Sequence, residues 1–301
     1  MPSARERLRQ TRRRVGRLRA SLQEAARPEP ATPAAAPDPR LALPAFYLPF
    51  PEIDRLPESL WSGQRPLHGI DLRLDAAAEL LHQLSSYMSE PALDGYEFAN
   101  GTYEWSDAQT LYGMLRHLEP SRVMELGSGA STHVIELARA VNEQEGSPFR
   151  HTTFDPFGGW HEMGVPDGME IQPIPAEELD PAAVETLVAG DVLFVDTTHT
   201  VKTGGDVQHI ILGLLPRLAP GVHVHFHDIF LPFDYPRQWV VQERRAWAEQ
   251  YLLEAFLAFN SQFEVVLPLA ALSREREADF RRAVPRHGAG GAGAFWIRCT
   301  G

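Results

Sequence analysis

Hydrophobic spacing changes several times along this chain, and each change marks a different element. Over residues 3–26, Leu8, Val15 and Leu22 lie seven apart, Leu18 supplies an intervening position, and arginines fill the other faces. That spacing predicts a helix of about three heptads at most. Prolines at 28, 30, 33, 37, 39 and 44 then make residues 27–44 an extended, semi-rigid Pro/Ala linker. A second helical pattern, carried by Leu74, Leu80, Leu81, Leu84 and Met88, covers Leu72–Met88, and Tyr96–Trp105 is polar and aromatic. Ser106-Asp107 predicts the cap of a helix running to about Leu118, with Leu111, Met114 and Leu115 on one side.

From there short apolar runs alternate with helical ones. Strands are predicted at Val123–Leu126, His151–Phe154, Met169–Pro173, Val192–Val195 and Val222–Phe226, and helices at Thr132–Asn142 and Val207–Leu218. The continuous run Val192–Val195 has the character of a buried parallel strand. Pro236 is read as the start of one long helix, Arg237–Asn260, and two late strands, Phe263–Leu267 and Ala294–Cys299, flank a Gly-rich loop. Strand–helix alternation closed by two late strands predicts an α/β, doubly wound sheet.

Composition changes this picture only in part. A chain of 301 residues holds one large core plus an appendage. The net charge of −12 hides an asymmetry: residues 1–40 carry ten arginines and four acids, whereas the remainder carries 18 basic and 36 acidic residues. An acidic body argues against nucleic acid as the main partner. The basic arm 1–26 reads as a frayed extension, a homodimer zipper or an anionic-surface contact, and Glu6 and Glu24 argue against a targeting peptide. Cys299 is the only cysteine, which fits a reducing compartment, and no membrane span or secretory signal is expected, so the anticipated location is cytoplasmic.

Candidate chemistry begins at Glu125-Leu-Gly127-Ser-Gly129-Ala-Ser131-Thr132, where the first strand feeds its helix. Two glycines let the backbone bend tightly and approach a ligand, and the helix start presents free N–H groups. A lone G-x-G describes any nucleotide-binding turn. Glu125 narrows it, because an anion there repels pyrophosphate but suits the ammonium and sulfonium of S-adenosylmethionine (SAM). Asp155, which closes the next strand ahead of Pro156, is placed to accept ribose hydroxyls. The expected cofactor-binding set is Glu125, Gly127, Ser128, Gly129, Ser131, Thr132, Asp155 and Pro156.

With these segments in view, the sequence resembles bacterial class I SAM-dependent methyltransferases of the family-24 type over roughly residues 96–299. The matching segments are Asn100–Ala108, Glu125–Thr132, Asp191–Asp206 and His225–Pro236. The resemblance implies a Rossmann-like, seven-stranded sheet and SAM as methyl donor, and it leaves the acceptor open. Ser131 departs from it by replacing a common third glycine. On this reading residues 45–112 form a helical N-terminal and lid segment, and 113–301 the SAM-binding catalytic domain. Tyr103 and Asp107 become candidate cofactor contacts through the resemblance alone.

A second constellation falls at two later strand ends. The fourth strand closes in Asp196-Thr-Thr-His199 and the fifth in His225-Phe-His227-Asp228, where open α/β sheets bind ligands. Asp196, His227 and Asp228 are candidate ligands for one divalent cation, magnesium or manganese. The arrangement looks like that of metal-dependent catechol-type O-methyltransferases, whose general base is a lysine three residues after the first acid. His199 holds that position here and, with Asp196, is the candidate catalytic pair. His227 stands where an acid is usual, so a polar cleft without metal is the alternative. His223 and His225 share a strand face with His227 and are expected to be hydrogen-bonded structural residues.

Lys202, the only lysine, is expected in a structural ion pair and Asp206 at a helix start. Phe233, Tyr235 and Trp239 are read either as one wall of an acceptor pocket or as a packed loop, and Trp247, Tyr251, Phe256 and Phe259 as core. The expected activity is O-methylation of a small-molecule or glycan hydroxyl. The competing readings are a non-catalytic scaffold that dimerises through the arm, and an NAD(P) oxidoreductase.

Overall fold

In the computed structural model, residues 50–157, 169–288 and 292–301 are described. The basic arm 1–26, the linker 27–44 and the proposed zipper lie outside them. Residues Ile53–Gly301 form one unit, built on a seven-stranded sheet of order β3-β2-β1-β4-β5-β7-β6. Its strands are β1 (Arg122–Leu126), β2 (Arg150–Phe154), β3 (Met169–Gln172), β4 (Val192–Val195), β5 (His223–Phe226), β6 (Phe263–Pro268) and β7 (Phe295–Cys299). The pairs among β1 to β5 are parallel, and β7 runs antiparallel to both β5 and β6. This is the doubly wound, Rossmann-like sheet expected from the sequence.

Alternation along each strand sends side chains to two cores. Val123, Val192, Phe194, Leu267 and Trp296 face α1 (Leu74–Met88), α2 (Trp105–Leu118) and α3 (Ala130–Gln144). Met124, Leu126, Leu193, Val195, Val224, Phe226 and Ile297 face the other way, against a helical run over 206–217 and the later helix α5. That run starts as α4 (Asp206–His209) and passes through a π turn, Ile210–Leu214, into a 3₁₀ turn, Leu215–Arg217. Since α1 and α2 share a core with β1 and β4, the lid segment packs into the same body as the sheet from Ile53 onward.

Several helices differ from their sequence reading. Ser106 and Asp107 do not cap α2: its N-cap is Glu104, and the buried Asp107 carboxylate accepts from the backbone of Gly293 (3.0 Å) and Ala294 (3.1 Å), ahead of β7. The long helix over 237–260 is interrupted. A π turn, Gln238–Gln242, ends where Arg244 turns left-handed (φ 55), and α5 (Glu249–Leu257) starts afresh. The carbonyl of His199 accepts from the N–H groups of Ala248 (2.9 Å) and Glu249 (3.2 Å), so the break docks the start of α5 on the end of β4. Between β6 and β7, where a Gly-rich loop was expected, stand α6 (Leu269–Glu275) and α7 (Glu277–Ala283).

No helix among the described residues is long and apolar enough to cross a membrane.

Candidate functional site

The glycine turn sits where β1 meets α3. Gly127 has φ +84, and a Cβ there would lie 1.9 Å from the carbonyl oxygen of Asp196, so β1 and β4 approach too closely for a side chain. Gly129 differs. Its φ of 176 is extended backbone, and a Cβ would meet nothing within 4 Å, because the turn opens there onto a cleft.

That cleft, about 610 Å³, is lined on one side by Ser128, Gly129, Ala130 and Ser131 and on the other by Asp196, His227 and Asp228. Thr102, Tyr103, Glu104 and Asp107 close it from the lid segment, and Phe230, Pro236, Trp239, Arg245 and Trp247 form its outer wall. The lid contacts expected at Tyr103 and Asp107 therefore face the cleft. Of the proposed aromatic wall only Trp239 does; Phe233 and Tyr235 are buried as loop packing. Trp247 lines the cleft while packing against the buried Phe230–Phe233–Tyr235 cluster, and Tyr251 and Phe259 are exposed.

Glu125 does not face the cleft. Strand alternation puts it on the α3 side of the sheet beside His151 and Thr153 of β2, and it is wholly buried. Its carboxylate accepts from the hydroxyls of Ser131 (3.0 Å), Thr132 (2.8 Å) and Thr153 (2.5 Å), and His151 Nε2 lies 3.1 Å away. Glu125 thus fixes the start of α3 instead of meeting a ligand, and its charge cannot by itself choose sulfonium over pyrophosphate. Asp155 is placed nearer to its expected role: it accepts from Ser128 N (3.0 Å), the Ser128 hydroxyl and Phe157 N (2.7 Å) at the edge of the turn. Gly127, Thr132, Asp155 and Pro156 do not themselves line the cleft.

Under the turn, His151 bridges two acids, with Nδ1 2.8 Å from Glu136. Burial opposes its charge, but Glu125 and Glu136 outweigh this and raise its pKa. Burial likewise opposes the charge of Glu136, whose pKa His151 and Arg139 lower overall. The raised histidine contributes stability that is present below its unfolded pKa of about 6.5 and is lost as pH rises through the folded value. The depressed Glu136 contributes above about pH 4.3 and loses its share as pH falls through its folded value. The melting-temperature gap between wild type and His151→Gln is therefore expected to be widest near pH 6 and to shrink toward pH 9. A gap that does not change with pH would refute a charged bridge.

At the opposite wall, Asp196, His199, His227 and Asp228 converge as expected. His199 Nε2 lies 3.3 Å from Asp196 and 3.7 Å from Asp228, and His227 Nδ1 lies at the same two distances from the same two acids. Both histidines are held from behind: Glu249 Oε2 is 2.8 Å from His199 Nδ1, and Asp107 Oδ2 is 3.4 Å from His227 Nε2. Trp247 packs on the His199 ring at 4.2 Å. His199 (φ 55) and Asp228 (φ 58) adopt left-handed backbone, a strain that tertiary contacts must hold in place.

Charge follows from this packing. Burial works against a charged His199, but Asp196 and Glu249 overcome it and raise its pKa to about 10; His227 is likewise raised by Asp228 and Asp196. Asp196 is held well below the carboxylate range, because His227 and His199 outweigh its burial, whereas burial raises Asp228. The acids around His199 favour its protonated form, whereas the sequence reading made it the base. The three candidate metal ligands are brought together with His199, and the acids Asp196, Asp228, Glu249 and Asp107 surround the two imidazoles. Among the described residues no group of three or more His, Cys, Asp or Glu side chains is set out to hold a metal ion.

Three other expectations are resolved here. His225 is buried and neutral, its pKa lowered by burial and by the charge of His227, and its Nε2 meets the Tyr103 hydroxyl at 3.1 Å. His223, also lowered, to about 4, lies away from the cleft. Lys202 is exposed and has no ion pair among the described residues, while Asp206 accepts from Thr198 N (2.9 Å) and Oγ1 (2.8 Å), fixing the loop that carries His199.

Sequence reasoning missed Glu249 and Arg245. Neither lies in a motif. The only signal was Glu249's place in a helical run that the fold interrupts.

Residues 124–229, from within β1 to just past β5, match the family described as a methyltransferase domain. The match likens this stretch, about a third of the chain, to a methyltransferase domain, a likeness that Glu125 alone could not carry. No curated protein matches it in sequence. Among solved structures, the S-adenosylhomocysteine-bound methyltransferase of Podospora anserina is similar at 16% identity, covering 78% of this chain and 90% of that one, with a TM-score of 0.40. CalS11, a TDP-rhamnose 3'-O-methyltransferase of calicheamicin biosynthesis, is similar at 16% identity over 73% of this chain and 93% of its own, with a TM-score of 0.39.

Proposed function

We propose that this methyltransferase acts on a hydroxyl of a small molecule or glycan. The observation that carries this reading is the opposition, across one cleft, of the Ser128–Ser131 turn and the Asp196–His227–Asp228 wall. The turn suits a cofactor: Gly129 leaves the space a Cβ would occupy, and α3 starts there, where first-turn N–H groups have no partner within the helix. Ser128, Gly129, Ser131 and Asp155 are the residues that would hold SAM, which supplies an electrophilic methyl group on a sulfonium.

The chain's own contribution lies on the opposite wall. An acceptor hydroxyl placed between Asp196 and Asp228 would give up its proton as its oxygen takes the methyl group, with the methyl–sulfur bond breaking to leave neutral S-adenosylhomocysteine. Asp228, whose burial favours the protonated form, is the group placed to take that proton. His199 and His227 supply positive charge beside the developing oxyanion, and Glu249 and Asp107 fix their orientation. The two imidazoliums thus provide the charge that a divalent cation provides in catechol-type enzymes.

The test is methyl transfer from labelled SAM to a panel of glycans and hydroxylated metabolites, run with and without chelator. Turnover that survives chelation is expected. Turnover abolished by chelator and restored by magnesium or manganese would assign Asp196, His227 and Asp228 to a metal instead, and label on nitrogen or carbon acceptors alone would refute O-methylation.

A further inference from the structure

A second cavity of about 290 Å³ adjoins the catalytic cleft, sharing Phe230 and Pro236 with it as a common wall. Arg274, Arg286 and His287 line it together with Ser273, and no acidic side chain does. This stands out in a chain whose residues after 40 carry 36 acids against 18 bases.

The two arginines differ in how they are held. Arg286 is fixed by the Met88 carbonyl (2.7 Å) and by Asp94 (2.5 Å), so part of its charge is balanced. Arg274 lies over the ring of Phe233 at 4.0 Å and has neither hydrogen bond nor ion pair among the described residues. Arg274 remains exposed to solvent, and the partial desolvation it meets at the cavity lowers its pKa with no counter-charge to offset it. On the wall of the first cleft, Arg245 lies between Trp239 (4.3 Å) and Trp247 (4.5 Å), but Glu243 at 2.6 Å covers its charge. Of these arginines, Arg274 is the one without a counter-charge among the described residues.

We infer that the acceptor carries an anionic substituent, phosphoryl or carboxylate, which Arg274 and Arg286 hold in this cavity while its hydroxyl reaches Asp196 and Asp228. A guanidinium fork recognises either oxyanion through paired N–H···O bonds. A cavity of this size has room for a phosphoryl or carboxylate substituent. The inference deepens the proposed function and rests on it.

Titration calorimetry on the full chain saturated with S-adenosylhomocysteine, using glucose 1-phosphate, glucuronate and methyl glucoside as probes, tests it. At least one anionic probe is expected to bind roughly tenfold more tightly than the neutral glycoside, with binding that weakens as salt rises. Arg274→Gln should remove that preference and Arg274→Glu should reverse it, with S-adenosylhomocysteine affinity unchanged in both. Whichever anion prevails identifies the substituent. No preference for either anion, or a preference that survives Arg274→Glu, would overturn the inference. Failure of the wild-type chain to bind S-adenosylhomocysteine at all would instead count against the underlying methyltransferase site, and that arm is read separately.

Discussion

Asp196→Ala and His199→Gln should each lower methyl transfer by roughly 10²–10⁴-fold while S-adenosylhomocysteine still binds and the chain stays folded. Asp196 lies across the cleft from the Ser128–Ser131 turn with His199 against it, so on the proposed function cofactor affinity and turnover should separate. Glutamine is the better substitute for His199. Alanine would strand the Glu249 carboxylate, which is 1% exposed, and breaking one side of such a buried pair costs about 3–5 kcal/mol. Single-turnover rates alongside S-adenosylhomocysteine titration would check this. Wild-type rates in both variants would remove the cluster from catalysis.

The second large effect is expected at Gly127. Alanine there must adopt a left-handed conformation, at about 1–2 kcal/mol, and must also push apart two strand ends whose backbone atoms leave no room for a Cβ. Adding about 1–3 kcal/mol for overpacking gives a loss near 3 kcal/mol, or roughly 6–12 °C in melting temperature for a domain of this size. Gly129→Ala, at an extended φ and beside open space, should leave the melting temperature almost unchanged yet weaken S-adenosylhomocysteine binding. Thermal melts with and without the ligand separate the two. Equal effects in both variants would mean that the turn is held by something other than the Gly127–Asp196 contact.

These glycines also show how far the sequence could be read. The strands were legible because runs such as Val192–Val195 have no polar position for solvent, and the doubly wound sheet followed from their alternation with helices. The strand-end residues Asp196, His199, His227 and Asp228 were legible because parallel sheets gather their carboxyl ends at one edge. Orientation was not legible. Glu125 and Asp155 both stand near strand ends, yet only alternation against His151 and Thr153 reveals that Glu125 points into the α3 face. Interruption of the 237–260 helix was hidden for a related reason. Apolar spacing there remains helical, and what breaks it is a distant carbonyl, that of His199, accepting from Ala248 and Glu249. Asp107 was read as a helix cap from its local context, whereas its carboxylate serves the approach to β7 and lies beside His227. Local pattern fixes where an element runs; partners remote in sequence decide what its polar residues do.

The acids behind His199 and His227 carry one last consequence. Asp107 precedes the segment that matches the methyltransferase family and Glu249 follows it, so the reactive imidazoles and the groups that set their charge are encoded in different stretches of chain. Two proteins alike throughout the matched stretch but different at these flanking acids would share a recognisable signature and differ in reactivity. Divergence of acceptor and rate within such a lineage can therefore proceed at the margins of the domain, leaving the motif by which its members are recognised untouched.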